Sequence, residues 1–318
     1  MSHVVVTGSQ GFVGRALVER LLRDGLNGTP VTRLSLVDIA FDAAHADARV
    51  RQVGGSIADA GVRARLYATP VDAVFHLASI PGGAAEKNYA QGRAINLDAT
   101  LGLLEDLRGQ AVAGRPAPRF VFASTVAVHG EQLPPQVDEH TLPAPALSYG
   151  AHKLMGEYLV ADASRLGWVE GCSLRLPGVV ARPGDGAGLM SAFMSQLFWK
   201  LAAGQPLTVP VSPGGVAWWI SVGACVDNLL HAACVDPQRF NARRSYQMPV
   251  LRLTIQQVVD ALAERFGADR RALVSYAPDA FIERLFAAYP PLSTPQAEAL
   301  GLAHDGTVQQ LITRAMAD

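Results

Sequence analysis

A tyrosine and a lysine stand four residues apart in the run Ser148-Tyr149-Gly150-Ala151-His152-Lys153. On a helix, residues i and i+4 share one face and lie one turn apart. A free tyrosine has a pKa of about 10, too high for a base at neutral pH, but a nearby cation stabilises its phenolate. The spacing therefore predicts that Tyr149 accepts a proton and that Lys153 lowers its pKa. The alternative is the start of an amphipathic helix with an exposed lysine, yet only three of the 27 basic residues are lysines.

A pair of hydroxyl residues precedes this run. Ser124 and Thr125 follow the apolar stretch 120–123, which has the composition of a buried strand. In open α/β sheets, ligands bind at the carboxyl ends of the strands. A hydroxyl of this pair is therefore a candidate to orient a substrate oxygen toward Tyr149. A Ser-Thr pair that merely ends a strand is an equal alternative until the tyrosine and lysine downstream are considered.

A glycine-rich turn lies near the start of the chain, between the apolar run 4–6 and a stretch with helical spacing, 12–23. Glycines at this spacing allow a tight turn, close approach of a pyrophosphate to bare backbone, and close packing of helix on strand. The helix N-terminus then offers N–H groups and partial positive charge to the phosphates. The turn supplies six predicted cofactor contacts: Gly8, Gln10, Gly11, Phe12, Val13 and Gly14.

An aspartate ends the next apolar run, 34–37. Asp38 stands 24 residues after Gly14, where a carboxylate would accept hydrogen bonds from the adenosine ribose. It would repel a 2′-phosphate, so the sequence predicts NAD rather than NADP. The alternative is a surface carboxylate that closes a strand. Ser56 and Ile57, at the end of the third strand, are predicted to flank the adenine.

Apolar runs alternate with helical stretches over the first half of the chain. The predicted strands are 4–6, 34–37, 73–77, 120–123 and 171–176, and the helices 12–23, 96–107 and 149–163. This alternation predicts a doubly wound parallel sheet of the Rossmann α/β class. Residues 1–176 would form the dinucleotide-binding domain, with a return segment at about 217–240, and residues 177–318 a smaller α/β substrate lobe. In that lobe we expect a helix at 189–203, one that Thr254 and Gln257 cap, and a short one at Thr294.

Composition excludes several classes of protein. The chain of 318 residues is 49% hydrophobic and 17% charged with a formal net charge of −1, so it is neither disordered nor basic enough to bind nucleic acid. Its apolar runs are too short to span a membrane, and its histidines and cysteines do not form a metal motif. Three cysteines without a signal-like start predict reduced thiols in a cytoplasmic protein.

These motifs together resemble the extended short-chain dehydrogenase/reductases, a family that includes nucleotide-sugar epimerases and dehydratases. The matching pieces are 7–14, His76-Leu77-Ala78-Ser79, Asn96, Ser124-Thr125, and Tyr149 with Lys153. The resemblance implies bound NAD and a catalytic triad of Thr125, Tyr149 and Lys153. It also implies cofactor contacts from Leu77, Ala78, Ser79, Asn96, Ser124, Tyr149, Lys153, Leu176 and Pro177. Because the helices at 96–107 and 149–163 commonly pair with their copies in this family, it implies a homodimer.

Two departures point away from nucleotide sugars. Family members that bind them usually carry an arginine for the diphosphate where this chain has Ala217, and alanine cannot clamp a phosphate. Dehydratases follow the catalytic threonine with Asp-Glu, whereas Val126 and Ala127 stand here.

A narrower likeness is to the D-erythronate dehydrogenase group, which oxidises the 2-hydroxyl of a four-carbon sugar acid with NAD. It is carried by the segments 76–79, 96–100, 148–157 and 174–184, and more weakly by 298–302. The alternatives are an NAD-dependent sugar epimerase with the same triad and, in a different class, an NAD-sensing binding module.

A sugar acid needs a cation for its carboxylate. Arg182, in the Pro/Gly-rich stretch, is the first candidate, and Arg175, within a strand, is the second. Ser79 and Thr125 are predicted to contact the substrate. Trp219 would wall the pocket or, as the alternative, pack the two lobes together with Trp218. Residues 182–190 would form a glycine-rich lid.

Overall fold

The computed structural model describes residues 2–184, 186 and 189–317. The strands are β1 His3–Thr7, β2 Arg33–Asp38, β3 Val50–Gly54, β4 Ala73–His76, β5 Arg119–Thr125, β6 Glu170–Leu176, β7 Gly178–Val180, β8 Leu207–Val209, β9 Val216–Ser221, β10 Ser245–Gln247, β11 Leu251–Thr254 and β12 Val274–Tyr276. The helices are α1 Phe12–Asp24, α2 Ala60–Leu66, α3 Gly82–Lys87, α4 Tyr89–Arg93, α5 Ala99–Val112, α6 Ser148–Arg165, α7 Ala192–Ala202, α8 Val222–Cys234, α9 Ile255–Phe266, α10 Ala280–Phe286, α11 Pro295–Ala299 and α12 Val308–Ala315.

A seven-stranded sheet has the order β10-β6-β5-β4-β1-β2-β3. The pairs from β3 through β2, β1 and β4 to β5 run parallel, as do β6 and β10. The chain moves outward on one side from β1 to β3 and then returns to the other side at β4. Ligands of doubly wound sheets bind where the strand order reverses, which here is the carboxyl edge between β1 and β4. The predicted Rossmann class is confirmed.

The central strands are buried on both faces because their sequences are continuously apolar. Val4, Val5 and Val6 of β1 have no exposed surface, and neither do Phe75 of β4 and Phe120 of β5. Helices cover both faces of such a sheet, so alternation of apolar and polar residues is not required. The large side chains fix the positions of the strand ends, where the polar residues stand.

The chain divides into two compact units. The first consists of Met1–Val128, Pro145–Arg175 and Val226–Gln247, and the second of His129–Ala144, Leu176–Cys225 and Met248–Asp318. The sequence had placed the return segment at about 217–240 and all of the first 176 residues in one domain. The structure begins the return within α8 and groups residues 129–144 with the second unit.

The second unit contains a three-stranded sheet, β11-β9-β7, and a two-stranded sheet, β12-β8. Its core is built around β9 and the helices α7 and α9, and it includes Trp219, Phe198 and Leu262. The capping box at the start of α9 is confirmed, since Thr254 and Gln257 bind each other's backbone N–H groups. The helix predicted at 189–203 spans Ala192–Ala202 instead.

The described residues contain neither a membrane-spanning helix nor a cluster of metal ligands. None of the helices there combines the length and apolarity needed to cross a bilayer. In the same part of the chain, no group of three or more histidine, cysteine, aspartate or glutamate side chains is arranged to bind a metal.

Candidate active site and dinucleotide cleft

The turn after β1 needs glycine at two positions for steric reasons. Gly8 has φ +69°, and a Cβ added there would lie 2.7 Å from the backbone nitrogen of Ala78. A Cβ at Gly14 would lie 2.2 Å from the carbonyl oxygen of Gly8. The turn therefore packs backbone against backbone on two sides, against the segment that follows β4 and against the start of α1. A dinucleotide-binding turn requires such close packing.

Gly11 serves a different purpose. It is exposed, and it is the N-cap of α1, which has neither a side-chain cap nor an acidic residue in its first turn. The first N–H groups of a helix lack partners within the helix and attract anions. Bare backbone and an uncapped helix N-terminus fit a pyrophosphate at this position.

Asp38 is held at the end of β2 with its carboxylate oriented. One oxygen accepts from the backbone N–H of Gln10 at 2.8 Å, and the other from that of Ile39 at 2.8 Å. Each carboxylate oxygen can accept more than one hydrogen bond, so both remain able to bind ribose hydroxyls. This geometry fits the adenosine ribose of NAD.

An open cleft of about 360 Å³ runs along this edge of the first unit. Eight predicted cofactor contacts line it: Gly8, Gln10, Gly11, Asp38, Ile57, Leu77, Ala78 and Ser79. The sequence did not single out Ile39, Gly55, Ile80 and Ile95, which also line it, because single apolar residues carry no motif. The glycine turn, the uncapped helix and the oriented carboxylate meet in one cleft, so the residues fit the cofactor.

Buried polar side chains form hydrogen bonds that hold the segments lining the cleft. His76 joins Thr7 to Thr100, with its ring nitrogens 2.7 and 3.0 Å from their hydroxyl oxygens. Burial lowers the pKa of His76 to about 3, so the ring is neutral and can donate at one nitrogen and accept at the other. Asn96 lies in a π-helical turn, Ala94–Asp98, and its side chain binds both the N–H and the C=O of Ile80. Asn96 thus contributes to the cleft by fixing the backbone of Ile80, which lines it.

Tyr149 lies in the first turn of α6, and its phenol lies close enough to the hydroxyls of Thr125 and Ser79 for both of them to lower its pKa. Thr125 comes from the end of β5 and also accepts from the backbone N–H of Ala127 at 3.1 Å. The start of α6, the end of β5 and the segment after β4 therefore bring three hydroxyl groups together. The structure places the predicted pair Thr125 and Tyr149 in contact and adds Ser79 to them.

Lys153 lies one turn further along α6 and is 1% exposed. Its ammonium donates to the carbonyl oxygen of Ala123 at 2.8 Å and lies 6.0 Å from the centroid of the Tyr149 ring. Burial lowers the pKa of Lys153 to about 7.

The pKa of Tyr149 corrects one sequence-based expectation. Burial raises this pKa, and the hydrogen bonds from Thr125 and Ser79 oppose that rise only in part. The sequence predicted a lowered value, because spacing alone does not reveal how deeply a helical face is buried.

Glu157 was missed by the sequence reading although it follows Lys153 by one further turn. It accepts from Arg175 through both carboxylate oxygens, at 2.9 and 2.7 Å. Ser124 donates to the same carboxylate at 2.5 Å. Arg175 is therefore committed to a buried ion pair, and the Ser124 hydroxyl is directed toward that pair. The available signal was the i, i+4 spacing from Lys153, which places the two side chains on one helical face.

Four predicted site residues belong to the second unit. Leu176 and Pro177 stand where β6 ends. Trp219 has no exposed surface, and its indole N–H donates to the carbonyl of Leu253 at 3.1 Å, so it belongs to the core of the second unit. Arg182 is exposed, and its backbone N–H donates to the Ser195 hydroxyl at 2.9 Å.

The proposed lid falls partly outside the described structure. Of residues 182–190, Asp185, Ala187 and Gly188 are not among the described residues. The lid therefore stays a prediction.

Replacement of Asp38 by Ser is expected to weaken NAD use and to relax discrimination against NADP. A hydrogen bond to a charged group contributes about 1.5–3 kcal/mol, which corresponds to roughly a 10- to 100-fold loss in kcat/KM for NAD. Steady-state rates with each cofactor measure the effect. Asp42→Ser is the control, because that carboxylate is 96% exposed. Unchanged selectivity in Asp38→Ser would show that the carboxylate does not face the ribose.

The chain is similar to known proteins over almost its whole length. The family described as the NAD dependent epimerase/dehydratase family matches residues 4–234. D-erythronate dehydrogenase from Cupriavidus necator is 35% identical, with 99% of this chain and 98% of that protein covered. D-erythronate dehydrogenase from Haemophilus influenzae is 31% identical, with 97% of each covered.

A solved structure extends the likeness to the whole fold. The nucleoside-diphosphate-sugar epimerase from Agrobacterium tumefaciens superposes with a TM-score of 0.91 at 32% identity, covering 98% of this chain and 92% of that one. The family match spans more than half of the chain and includes the glycine turn, Asp38, Thr125, Tyr149 and Lys153. The chain belongs to the NAD-dependent epimerase/dehydratase family.

Proposed function

We propose that this protein is an NAD-dependent dehydrogenase that oxidises the 2-hydroxyl of D-erythronate or a closely similar four-carbon sugar acid. The observation that carries the proposal is the contact of Tyr149 with Thr125 and Ser79, in the unit that also contains the NAD cleft. The identity of 35% and 31% to two D-erythronate dehydrogenases over nearly their full lengths supports the substrate class.

The chain's own residues handle the proton of the reaction. Thr125 and Ser79 hold the substrate oxygen by hydrogen bonds, and the phenolate of Tyr149 removes the hydroxyl proton as the carbon gives up its hydride. NAD⁺ supplies the hydride acceptor and a positive charge that stabilises a nearby phenolate. The hydrogen bond from Lys153 to the carbonyl oxygen of Ala123 joins α6 to β5 on the buried side of the site. General base catalysis of this kind contributes about 10²–10⁴-fold to the rate.

Two local features support a sugar acid over a nucleotide sugar. Ala217, at the position where relatives that bind nucleotide sugars carry an arginine, is a fully buried residue of β9. Val126 and Ala127, which follow Thr125 in a short 3-10 turn, offer no carboxylate for the elimination of water. A diphosphate clamp and a dehydratase acid–base pair are both missing at these positions.

The substrate class is tested by screening NADH formation across aldonic acids of four to six carbons and UDP-sugars. We expect turnover with D-erythronate and none with UDP-sugars. An epimerase would retain NAD and form no net NADH, and an NAD-sensing module would bind NAD without turnover, so either result would contradict the proposal.

The rate of oxidation is expected to rise with pH through the neutral range. Because burial raises the pKa of Tyr149, the phenolate is the minor form at neutral pH, and its fraction grows about tenfold per pH unit below that pKa. Reduction of the 2-oxo acid needs the protonated phenol and should persist at lower pH. Initial rates in both directions from about pH 6 to 9 provide the test. An oxidation rate independent of pH over this range would argue against a tyrosine base.

Arg182 is proposed as the cation that binds the substrate carboxylate. The other candidate, Arg175, is committed to its buried pair with Glu157. Arg182→Gln should raise KM for the acid and leave the binding of NAD unchanged.

We also propose a cytoplasmic homodimer formed through α5 and α6. These helices expose the apolar side chains of Leu101, Met155 and Tyr158, which are 39%, 42% and 67% exposed. Free thiols at Cys172, Cys225 and Cys234 fit a reducing compartment. Light scattering of the purified protein tests the dimer, and a monomer at all concentrations would contradict it.

A further inference from the structure

We propose that Arg63 is a positioning residue for the adenosine half of the NAD cleft. It holds the backbone of Ile57 and Ala58, in the loop between β3 and α2, in the shape that adenosine requires. The inference rests on the NAD binding described above, and it assigns a role to a side chain that does not itself line the cleft.

Arg63 folds back from α2 onto the loop that precedes its own helix. Its Nη1 donates to the carbonyl oxygens of Ile57 at 3.1 Å and Ala58 at 3.0 Å. Its Nε donates to the carboxylate of Asp106, on α5, at 2.8 Å. The side chain is only 12% exposed, so these bonds are largely shielded from water. One planar group thus ties the loop to α5.

Gly102 of α5 makes room for this group. A Cβ added to Gly102 would lie 2.7 Å from both Cζ and Nη2 of Arg63. The guanidinium therefore lies against the backbone of α5, in space that only a glycine leaves free. The position of the loop depends on an arginine and a glycine that are far apart in the sequence.

The loop held in this way forms a wall of the cleft. Ile57 lines the cleft together with Gly55 and Asp38, and Ile57 is 4% exposed. Asp38 marks the adenosine ribose, so Ile57 belongs to the same half of the site. Within the loop, Ser56 makes local bonds to the N–H groups of Ala58 and Asp59. These bonds shape the turn, whereas Arg63 anchors it to a long helix.

A lysine cannot replace this arginine. The guanidinium presents several donors in one rigid plane, whereas an ammonium is a compact charge on a flexible stem. Without the anchor, the loop must be ordered when the ligand binds, and that cost appears in the dissociation constant. Tyr149 and its partners are untouched, so kcat at saturating NAD should not change.

The test measures binding of fragments to the free protein by calorimetry, together with kinetics. In Arg63→Lys and Arg63→Met, we expect Kd for ADP-ribose and KM for NAD to rise about tenfold, with kcat unchanged. Binding of nicotinamide mononucleotide should stay at the wild-type value. Arg165→Met, which removes a 70%-exposed partner of Asp162 on α6, is the control and should leave all values unchanged.

A second variant displaces the guanidinium without removing it. Gly102→Ala should also weaken binding of ADP-ribose, because the new methyl group occupies the space of the guanidinium. Alanine in place of glycine stabilises a helix by about 1 kcal/mol, so this loss cannot come from a weaker helix.

A wrong role for Arg63 and a wrong NAD site would give different results. Unchanged ADP-ribose binding in both Arg63 variants, or equal loss of both fragments, would overturn the role of Arg63. Failure of the wild-type protein to bind ADP-ribose would overturn the NAD site itself.

Discussion

Replacement of Tyr149 by Phe is expected to lower kcat/KM for oxidation by about 10²–10⁴-fold, because it removes the oxygen that accepts the substrate proton. The variant keeps the aromatic ring, so the packing beside Gly82 is preserved. Tyr149 lies close to this glycine, since a Cβ added to Gly82 would be 3.8 Å from Cβ of Tyr149. Binding of NADH, measured by fluorescence titration, should therefore be nearly unchanged. Activity is followed by the absorbance of NADH.

Tyr158→Phe is the matched control for this change. Tyr158 lies on the same helix, but its side chain is 67% exposed. Full activity is expected in this variant. If Tyr149→Phe retained wild-type turnover, the phenol would not be the base; if it lost NADH binding as well, the defect would lie in the fold of the cleft.

Replacement of Glu157 by Leu is expected to destabilise the protein by about 3–5 kcal/mol, because it leaves the buried charge of Arg175 without a partner. Arg175 and Glu157 are 11% and 4% exposed at their side chains, and the Ser124 hydroxyl depends on the same carboxylate. Urea unfolding followed by circular dichroism measures the loss as a change in midpoint.

Two further variants show whether the loss of stability comes from the unpaired buried charge or from the substitution on the helix itself. Asp162→Leu breaks an exposed pair with Arg165 on the same helix and should change stability by less than about 0.5 kcal/mol. The double variant Glu157→Leu with Arg175→Met removes both buried charges and should regain much of the loss. A change of less than about 1 kcal/mol in Glu157→Leu would mean that the pair contributes little.

The parts of the fold that sequence patterns predicted are those with long apolar runs or steric requirements. The strands β1, β2, β4 and β5 and the glycine turn are examples, since a buried parallel strand and a tight turn each restrict residue type directly. The three-residue strands β7, β8, β10 and β12 were not predicted, because three residues carry no periodicity.

The site also contains features that the sequence predicted and features that it did not. Tyr149 and Thr125 were predicted from motifs, and the structure places them in contact. The raised pKa of Tyr149, the pairing of Arg175 with Glu157 and the anchor at Arg63 depend on burial and on contacts between distant segments. A single sequence records residue types and spacing, whereas these properties arise from packing.

The most direct test uses D-erythronate that carries deuterium at C2, with NAD⁺ and the purified protein. We predict that reduced cofactor accumulates with one deuterium transferred to its nicotinamide ring, and that Tyr149→Phe slows this transfer by about 10²–10⁴-fold while still binding NADH. A substrate whose configuration changes while the cofactor remains oxidised, or deuterium transfer at the wild-type rate in Tyr149→Phe, would contradict the proposed dehydrogenase mechanism.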